Sequence, residues 1–166
     1  MNKYYSVFVH EVLGNIVIRS NDKGVTALSI GEELVIENDE IKNQGWALTA
    51  KQQLEEYFKG ERQTFNLPLC IEKGTLFQRE VWNALSKIPY GSVWSYSDIA
   101  AEVQRPKAVR AVGGANRANP LPIIIPCHRV IGKDASLTGY AGNKIHQKEL
   151  LLIVEGLTVQ NGTVKI

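Results

Sequence analysis

The segment Ile123-Ile124-Ile125-Pro126-Cys127-His128-Arg129-Val130 constrains this chain more than any other. Three consecutive isoleucines read as a buried, strand-like run, and Pro126 disfavours a helical conformation at Ile125. The thiol and imidazole that follow are neighbours in sequence, and neighbouring side chains on an extended strand face opposite ways. If Cys127 and His128 act on one atom, they must sit at a turn or at the start of a helix. The thiolate is the reactive form of cysteine, and its ordinary pKa of about 8.5 falls beside a base or a positive charge. His128 is such a base and Arg129 such a charge. Glu149, farther along, is placed to orient His128, which would complete a Cys–His–carboxylate arrangement. The bland alternative is a buried cysteine that packs and does nothing else.

Composition narrows the setting. At 166 residues and 44% hydrophobic content, the chain suits one or two small folded domains rather than a disordered polymer. No apolar run approaches the roughly 20 residues that span a bilayer. The start, Met1-Asn2-Lys3-Tyr4-Tyr5, lacks the apolar core of a signal peptide. A reducing, cytosolic setting is the expectation, with no membrane partner and with Cys70 and Cys127 as free thiols. No Cys-x-x-Cys pair occurs, and His10, His128 and His146 are scattered, so neither a metal site nor a cofactor is expected. Cys70, with no histidine near it in sequence, reads as structural.

Charge is unevenly spread. Residues 1–74 carry 8 Lys+Arg against 11 Asp+Glu, and residues 75–166 carry 11 against 6. Between Glu102 and Asp134 there is no acid, while Arg105, Lys107, Arg110, Arg117, Arg129 and Lys133 fall in that gap. Such a single-sign stretch is either a solvated basic face or a surface for a polyanion such as nucleic acid.

The pattern predicts an α/β (α+β) protein of two domains, 1–72 and 73–166. In the first, Tyr4–His10, Ile16–Ser20 and Val25–Ile30 are short β-branched or aromatic runs separated by turn residues, an antiparallel meander. Residues 31–45 read as acidic and turn-like. Trp46–Phe58 carries Ala47, Leu54, Tyr57 and Phe58 at helical spacing and stops at Gly60. Phe65–Ile71, interrupted by Pro68, reads as a linker or edge strand. In the second domain, Thr75 caps a helix with Phe77, Val81, Trp82 and Leu85 on one face. A turn at Pro89-Tyr90-Gly91 leads to two short helices, Ser97–Val103 and Lys107–Ala115, with a break at Gln104-Arg105-Pro106. That is a helix-turn-helix pattern. The second helix holds Ala108, Ala111, Gly113, Gly114 and Ala115, although glycine costs a helix about 1 kcal/mol each. Small residues allow close approach, either to a neighbouring helix or to an external surface such as a DNA minor groove. A last helix, Lys144–Glu155, ends at Gly156.

Two strings together resemble one family: Pro126-Cys127-His128-Arg129-Val130, and Val109-Arg110-Ala111-Val112-Gly113-Gly114-Ala115-Asn116-Arg117-Ala118-Asn119-Pro120. The family is that of the O6-alkylguanine-DNA alkyltransferases. Pro89-Tyr90-Gly91, Ser95-Tyr96, Gly139-Tyr140-Ala141-Gly142 and Glu149-Leu150-Leu151 extend the likeness over residues 75–157. The first 70 residues match it only in layout.

The resemblance implies a ribonuclease-H-like N-terminal domain and a winged helix-turn-helix C-terminal domain. It also implies direct-reversal repair of double-stranded DNA by minor-groove binding and base flipping. The alkyl group of O6-alkylguanine, and of O4-alkylthymine, would pass irreversibly to Cys127 in a single turnover. His128, through a water and backed by Glu149, would activate the thiol. Tyr96 would donate to the leaving guanine, and Asn119 would tie the recognition helix to the active-site segment. Arg110 would fill the gap left by the extruded base. Arg117, Ala111, Gly113, Gly114 and Ser95 would meet DNA, and Tyr140, Ala141 and Val130 would line the base pocket. The implied protein is a monomer, with cooperativity on DNA left open. Ala141 stands where some relatives have serine, which points to a roomier pocket. Asn143 stands where a small residue is usual. A family branch with tryptophan at the cysteine position is excluded by Cys127. Two readings from other classes compete: a helix-turn-helix regulator needs no reactive thiol, and a thiol hydrolase would turn over repeatedly.

Overall fold

The computed structural model describes residues 1–137 and 144–166, which form two compact units, Met1–Lys73 and Gly74–Ile166. In the first, β1 (Lys3–His10), β2 (Gly14–Asn21) and β3 (Val25–Ile30) form the expected antiparallel meander. The acidic stretch adds a strand that periodicity does not reveal, β4 (Glu40–Lys42). It pairs parallel to β1, giving the order β3-β2-β1-β4. The sheet is therefore mixed rather than purely antiparallel. Arg19 anchors this segment from β2, through Glu40 at 2.8 Å and the Val35 carbonyl at 2.6 Å.

Helix α1 (Gly45–Phe58) packs on β1 and β2 through Ala47, Ala50, Leu54 and Tyr57. Burying a side chain such as Leu54 contributes about 1.5–3 kcal/mol. Its first turn is tied to β2 by the Ala47 amide, which donates to Ser20 Oγ at 2.9 Å. The Pro68 segment bridges the β3 edge. Val25 N donates to the Pro68 carbonyl and Cys70 N to the Val25 carbonyl, both at 2.8 Å. Proline tolerates this position because only its carbonyl is used.

In the second unit, α2 (Leu76–Leu85) begins at Thr75, whose hydroxyl accepts from Gln78 N while Gln78 reaches back to Thr75 N. This is a reciprocal capping box. Ser95 and Asp98 make a second one, which starts α3 (Tyr96–Glu102) one residue earlier than the Ser97 expected from sequence. A break over residues 103–108 leads into α4 (Val109–Arg117), which completes the helix-turn-helix. Gln104 adopts φ +60 within that break. Both α2 and α3 pack against α4. Helix α5 (Lys144–Val154) stops before Gly156, whose φ is +91, and the hairpin β7 (Thr158–Gln160)–β8 (Thr163–Lys165) follows. Among the described residues, no helix is long and apolar enough to cross a membrane.

Candidate active site

The isoleucine run is not a strand. Ile123 has φ +73, Ile125 N donates to the Leu121 carbonyl at 2.8 Å, and the chain turns through this segment. A left-handed β-branched residue is a backbone outlier that costs of order 1–3 kcal/mol unless its surroundings hold it. Here they do. Ile123 is 1% exposed, and Asn119 braces the turn twice: Nδ2 donates to the Ile125 carbonyl at 2.8 Å and Oδ1 accepts from Leu121 N at 3.0 Å. The turn delivers Cys127, His128 and Arg129 as one 3₁₀ turn (Cys127–Arg129), all three buried. This is the helix-start geometry that the Cys–His adjacency required. Strand β6 (Val130–Ile131) then pairs parallel with β5 (Trp94–Ser95), which sets the start of α3, with Tyr96, beside the active-site segment.

The carboxylate at His128 is Glu155, not Glu149. His128 Nε2 lies 2.7 Å from Glu155 Oε2, and neither side chain has exposed surface. Six residues separate the two acids, so Glu149 points about 120° away around α5 and lies a turn and a half from its end. Arg129 completes the group. Its Nε and Nη2 grip both oxygens of Glu155 at 2.8 and 2.9 Å, and Nη1 donates to the Ile88 carbonyl at 2.7 Å. The Tyr90 ring lies under the guanidinium at 5.8 Å, and the Tyr90 hydroxyl donates to the Val154 carbonyl. The Pro89-Tyr90-Gly91 turn thus braces the same ion pair.

These contacts determine protonation. Burial acts to raise the Glu155 carboxyl, but hydrogen bonds from His128 and Arg129, with their charges, outweigh it and hold the pKa down to about 2. Burial is the main influence on His128 and lowers its pKa despite Glu155, so the imidazole is neutral at neutral pH. With Nε2–H donated to Glu155, the lone pair sits on Nδ1, which is buried and has no hydrogen-bond partner among the described residues. The ring has the tautomer of a base, fixed by a carboxylate that is itself fixed by an arginine.

Arg129, expected to favour the Cys127 anion, is instead neutralised by Glu155. The cation that acts on Cys127 is Lys148 of α5, which sequence reasoning missed. Its side chain has no exposed surface. Burial lowers its pKa to about 8, against an opposing attraction from Cys127. Its Nζ also lies 5.7 Å from the Tyr96 ring centroid, within cation–π range. Lys148 on α5 and Glu155, one residue past its end, are seven residues apart along one helical face and flank the buried Leu151 and Leu152. Extending that apolar stripe in both directions would have found them both.

Helix α4 has two unlike faces. Val112, Ala115 and Asn116 are buried, whereas Arg110, Ala111 and Arg117 are exposed and Gly113 and Gly114 are half-buried. A Cβ added at Gly113 or Gly114 would meet nothing within 4 Å among the described residues, so these glycines are not there to let another described helix approach. Lys107, Arg110, Arg117 and Lys133 are exposed and in no ion pair among the described residues, whereas Arg105 pairs with Glu80. The acid-free stretch is thus partly internal, in Arg105 and Arg129, and partly an open basic face. Ser95 is half-buried and its hydroxyl caps α3, and Val130 is fully buried. Tyr140, Ala141 and Asn143 lie outside the described residues.

Residues 3–71 match the 6-O-methylguanine DNA methyltransferase ribonuclease-like domain, and residues 76–157 match the DNA binding domain of the same family. The chain is 51% identical to the constitutive methylated-DNA–protein-cysteine methyltransferase of Bacillus subtilis, over 88% of this chain and 92% of that one. Its fold is similar to crystal structures of the Mycobacterium tuberculosis O6-methylguanine methyltransferase, at TM-score 0.81 and 39% identity over 92% of each chain. It is also similar to M. tuberculosis OGT in complex with DNA, at TM-score 0.80 and 37% identity over 92% of this chain and 93% of that one.

Proposed function

Because the chain belongs to the 6-O-methylguanine DNA methyltransferase family, we propose that it repairs alkylated DNA by moving the alkyl group from guanine O6 to its own Cys127. The observation that carries this reading is the buried His128–Glu155 pair at 2.7 Å, held by Arg129 in the same short turn as Cys127. The Cys127 proton passes to His128 Nδ1 through a water, and Lys148 favours the thiolate that remains. The sulfur attacks the alkyl carbon in line, a C–S bond forms, the C–O6 bond breaks, and its electron pair stays with guanine. Tyr96, at the first position of α3, donates to the base as negative charge develops there.

Cys127 is only 4% exposed, so a base stacked in a duplex cannot reach it. The lesion must be flipped out, at a cost of a few kcal/mol. The open face of α4 supports minor-groove contact, with Gly113 and Gly114 admitting the sugar–phosphate edge and Arg117 meeting phosphate. Arg110, exposed in the first turn of α4, fills the vacated stack. Tyr140 and Ala141 are assigned to the base pocket by the family resemblance alone, and O4-alkylthymine is a second substrate in this reading. Val130 offers no exposed surface, so in this reading it backs the base pocket from behind rather than touching the base.

The thioether product has no ready leaving group, so each molecule acts once. Counting guanines restored within the duplex per protein molecule, with substrate duplex in excess, tests this. The expected plateau is one equivalent. Continued restoration would point to repeated turnover by a thiol hydrolase, and none would point to a helix-turn-helix regulator.

A further inference from the structure

Asn116 is 1% exposed, on the inward face of α4. Its Nδ2 donates to the carbonyl oxygen of Cys127 at 3.3 Å, while its Oδ1 is buried with no partner among the described residues. The amide orientation follows from this, since only the nitrogen can donate to a carbonyl. A buried acceptor without a partner costs free energy, and a leucine with the same branched skeleton would avoid it. Packing therefore does not explain the residue. Nor does anchoring of α4, because Val112 and Ala115 are buried in the core and the Trp82 indole donates to the Ala115 carbonyl at 2.8 Å. What the asparagine adds is one donor aimed at the backbone of the nucleophilic residue itself. Asn119, just beyond the same helix, makes the parallel bond to Ile125 two residues before Cys127.

We propose that Asn116 is a positioning residue that couples α4 to Cys127. Its bond carries the seating of the helix on DNA into the orientation of the 3₁₀ turn, and so into the line of attack of the sulfur. Arg110 is exposed and Asn116 is buried on one short helix, so the surface that meets DNA and the donor that meets Cys127 move together. This inference rests on Cys127 being the acceptor.

The test is Asn116→Leu, which keeps the branched four-atom skeleton and removes the donor. With DNA at saturation, the single-turnover rate from alkylguanine duplex should fall by about tenfold or more, the size of loss that misplacement of reacting groups produces. The endpoint should still reach one alkyl group per molecule, and affinity for unmodified duplex should stay within roughly twofold of the parent, the split expected when only the chemical step is affected. A parental rate with a full endpoint would overturn the proposal. So would a parental rate with a reduced endpoint, which is the mark of a purely structural role, or a loss confined to affinity. Asn116→Ala, smaller than asparagine and without a side-chain donor, carries the same test if the leucine variant does not fold. Peptide mapping of the parent protein is the control. An alkyl group found elsewhere than on Cys127 overturns the underlying reading, and the coupling with it.

Discussion

At the scale of the residue, the site turns on which carboxylate faces His128. Glu155 is fully buried against His128 and Arg129, so Glu155→Gln should slow alkyl transfer by about 10²–10⁴-fold, the range for loss of acid–base assistance. It should also destabilise the fold by about 3–5 kcal/mol, because it leaves a buried arginine charge unpaired. Glu149→Gln, on a half-buried side chain, should alter the transfer rate little. Single-turnover kinetics and denaturant unfolding of the two variants check this contrast. The Cys127–His128 pairing was legible because it is local. Glu155 and Lys148 were not, because choosing them requires the rotational register of α5, and an error of one position from Lys148 to Glu149 turns the wrong face inward. Lys148 also makes stability depend on pH. Its folded pKa of about 8 lies below the ordinary 10.5, so between these values the unfolded chain holds the extra proton and stability rises with pH. Lys148→Met should therefore be no less stable than the parent at neutral pH, and its advantage should shrink as pH rises from about 8 to 10.5. Its alkyl transfer should nevertheless be slower, because the Cys127 thiolate has lost its cation. A pH series of unfolding free energies and transfer rates reads both effects.

At the scale of the element, α4 trades helix stability for an open surface. Adding a methyl at Gly113 or Gly114 meets nothing within 4 Å among the described residues. Gly113→Ala and Gly114→Ala should each stabilise the fold by up to about 1 kcal/mol and at the same time weaken duplex binding. Thermal unfolding and a binding titration should move in opposite directions. If the glycines served internal packing, both would worsen. Capped helices were readable from sequence: Thr75 with Gln78 opens α2 with the expected hydroxyl, and Ser95 with Asp98 opens α3 close to where Ser97 was read. Two elements escaped for different reasons. Strand β4 has only three residues, too few for alternation to show, and it exists through its parallel pairing with β1 and the reach of Arg19. The Ile123–Ile125 run has the composition of a strand, but Asn119 and the Leu121 carbonyl bend it into a turn with Ile123 left-handed. A tertiary brace overrode local propensity there.

At the scale of the whole molecule, the positive half of the sequence divides into internal and external charge. Arg129 belongs to the active-site ion pair and Arg105 to Glu80, which leaves Lys107, Arg110, Arg117 and Lys133 for a polyanion. Each phosphate contact that is lost should lower the salt slope of duplex binding by about one unit. Arg117→Ala is predicted to do so while leaving transfer from a free alkylguanine base unchanged. Arg110→Ala should impair repair of duplex DNA far more than transfer from the free base, since only the duplex has a stack to fill. Equal losses on both would remove that role. The mechanism turns on one buried thiol being consumed in the reaction. Peptide mass spectrometry after incubation with O6-methylguanine duplex tests it most directly. A single methyl group on the peptide carrying Cys127, absent in Cys127→Ser, is the predicted result. An unmodified Cys127, or a methyl group on Cys70 instead, would contradict it.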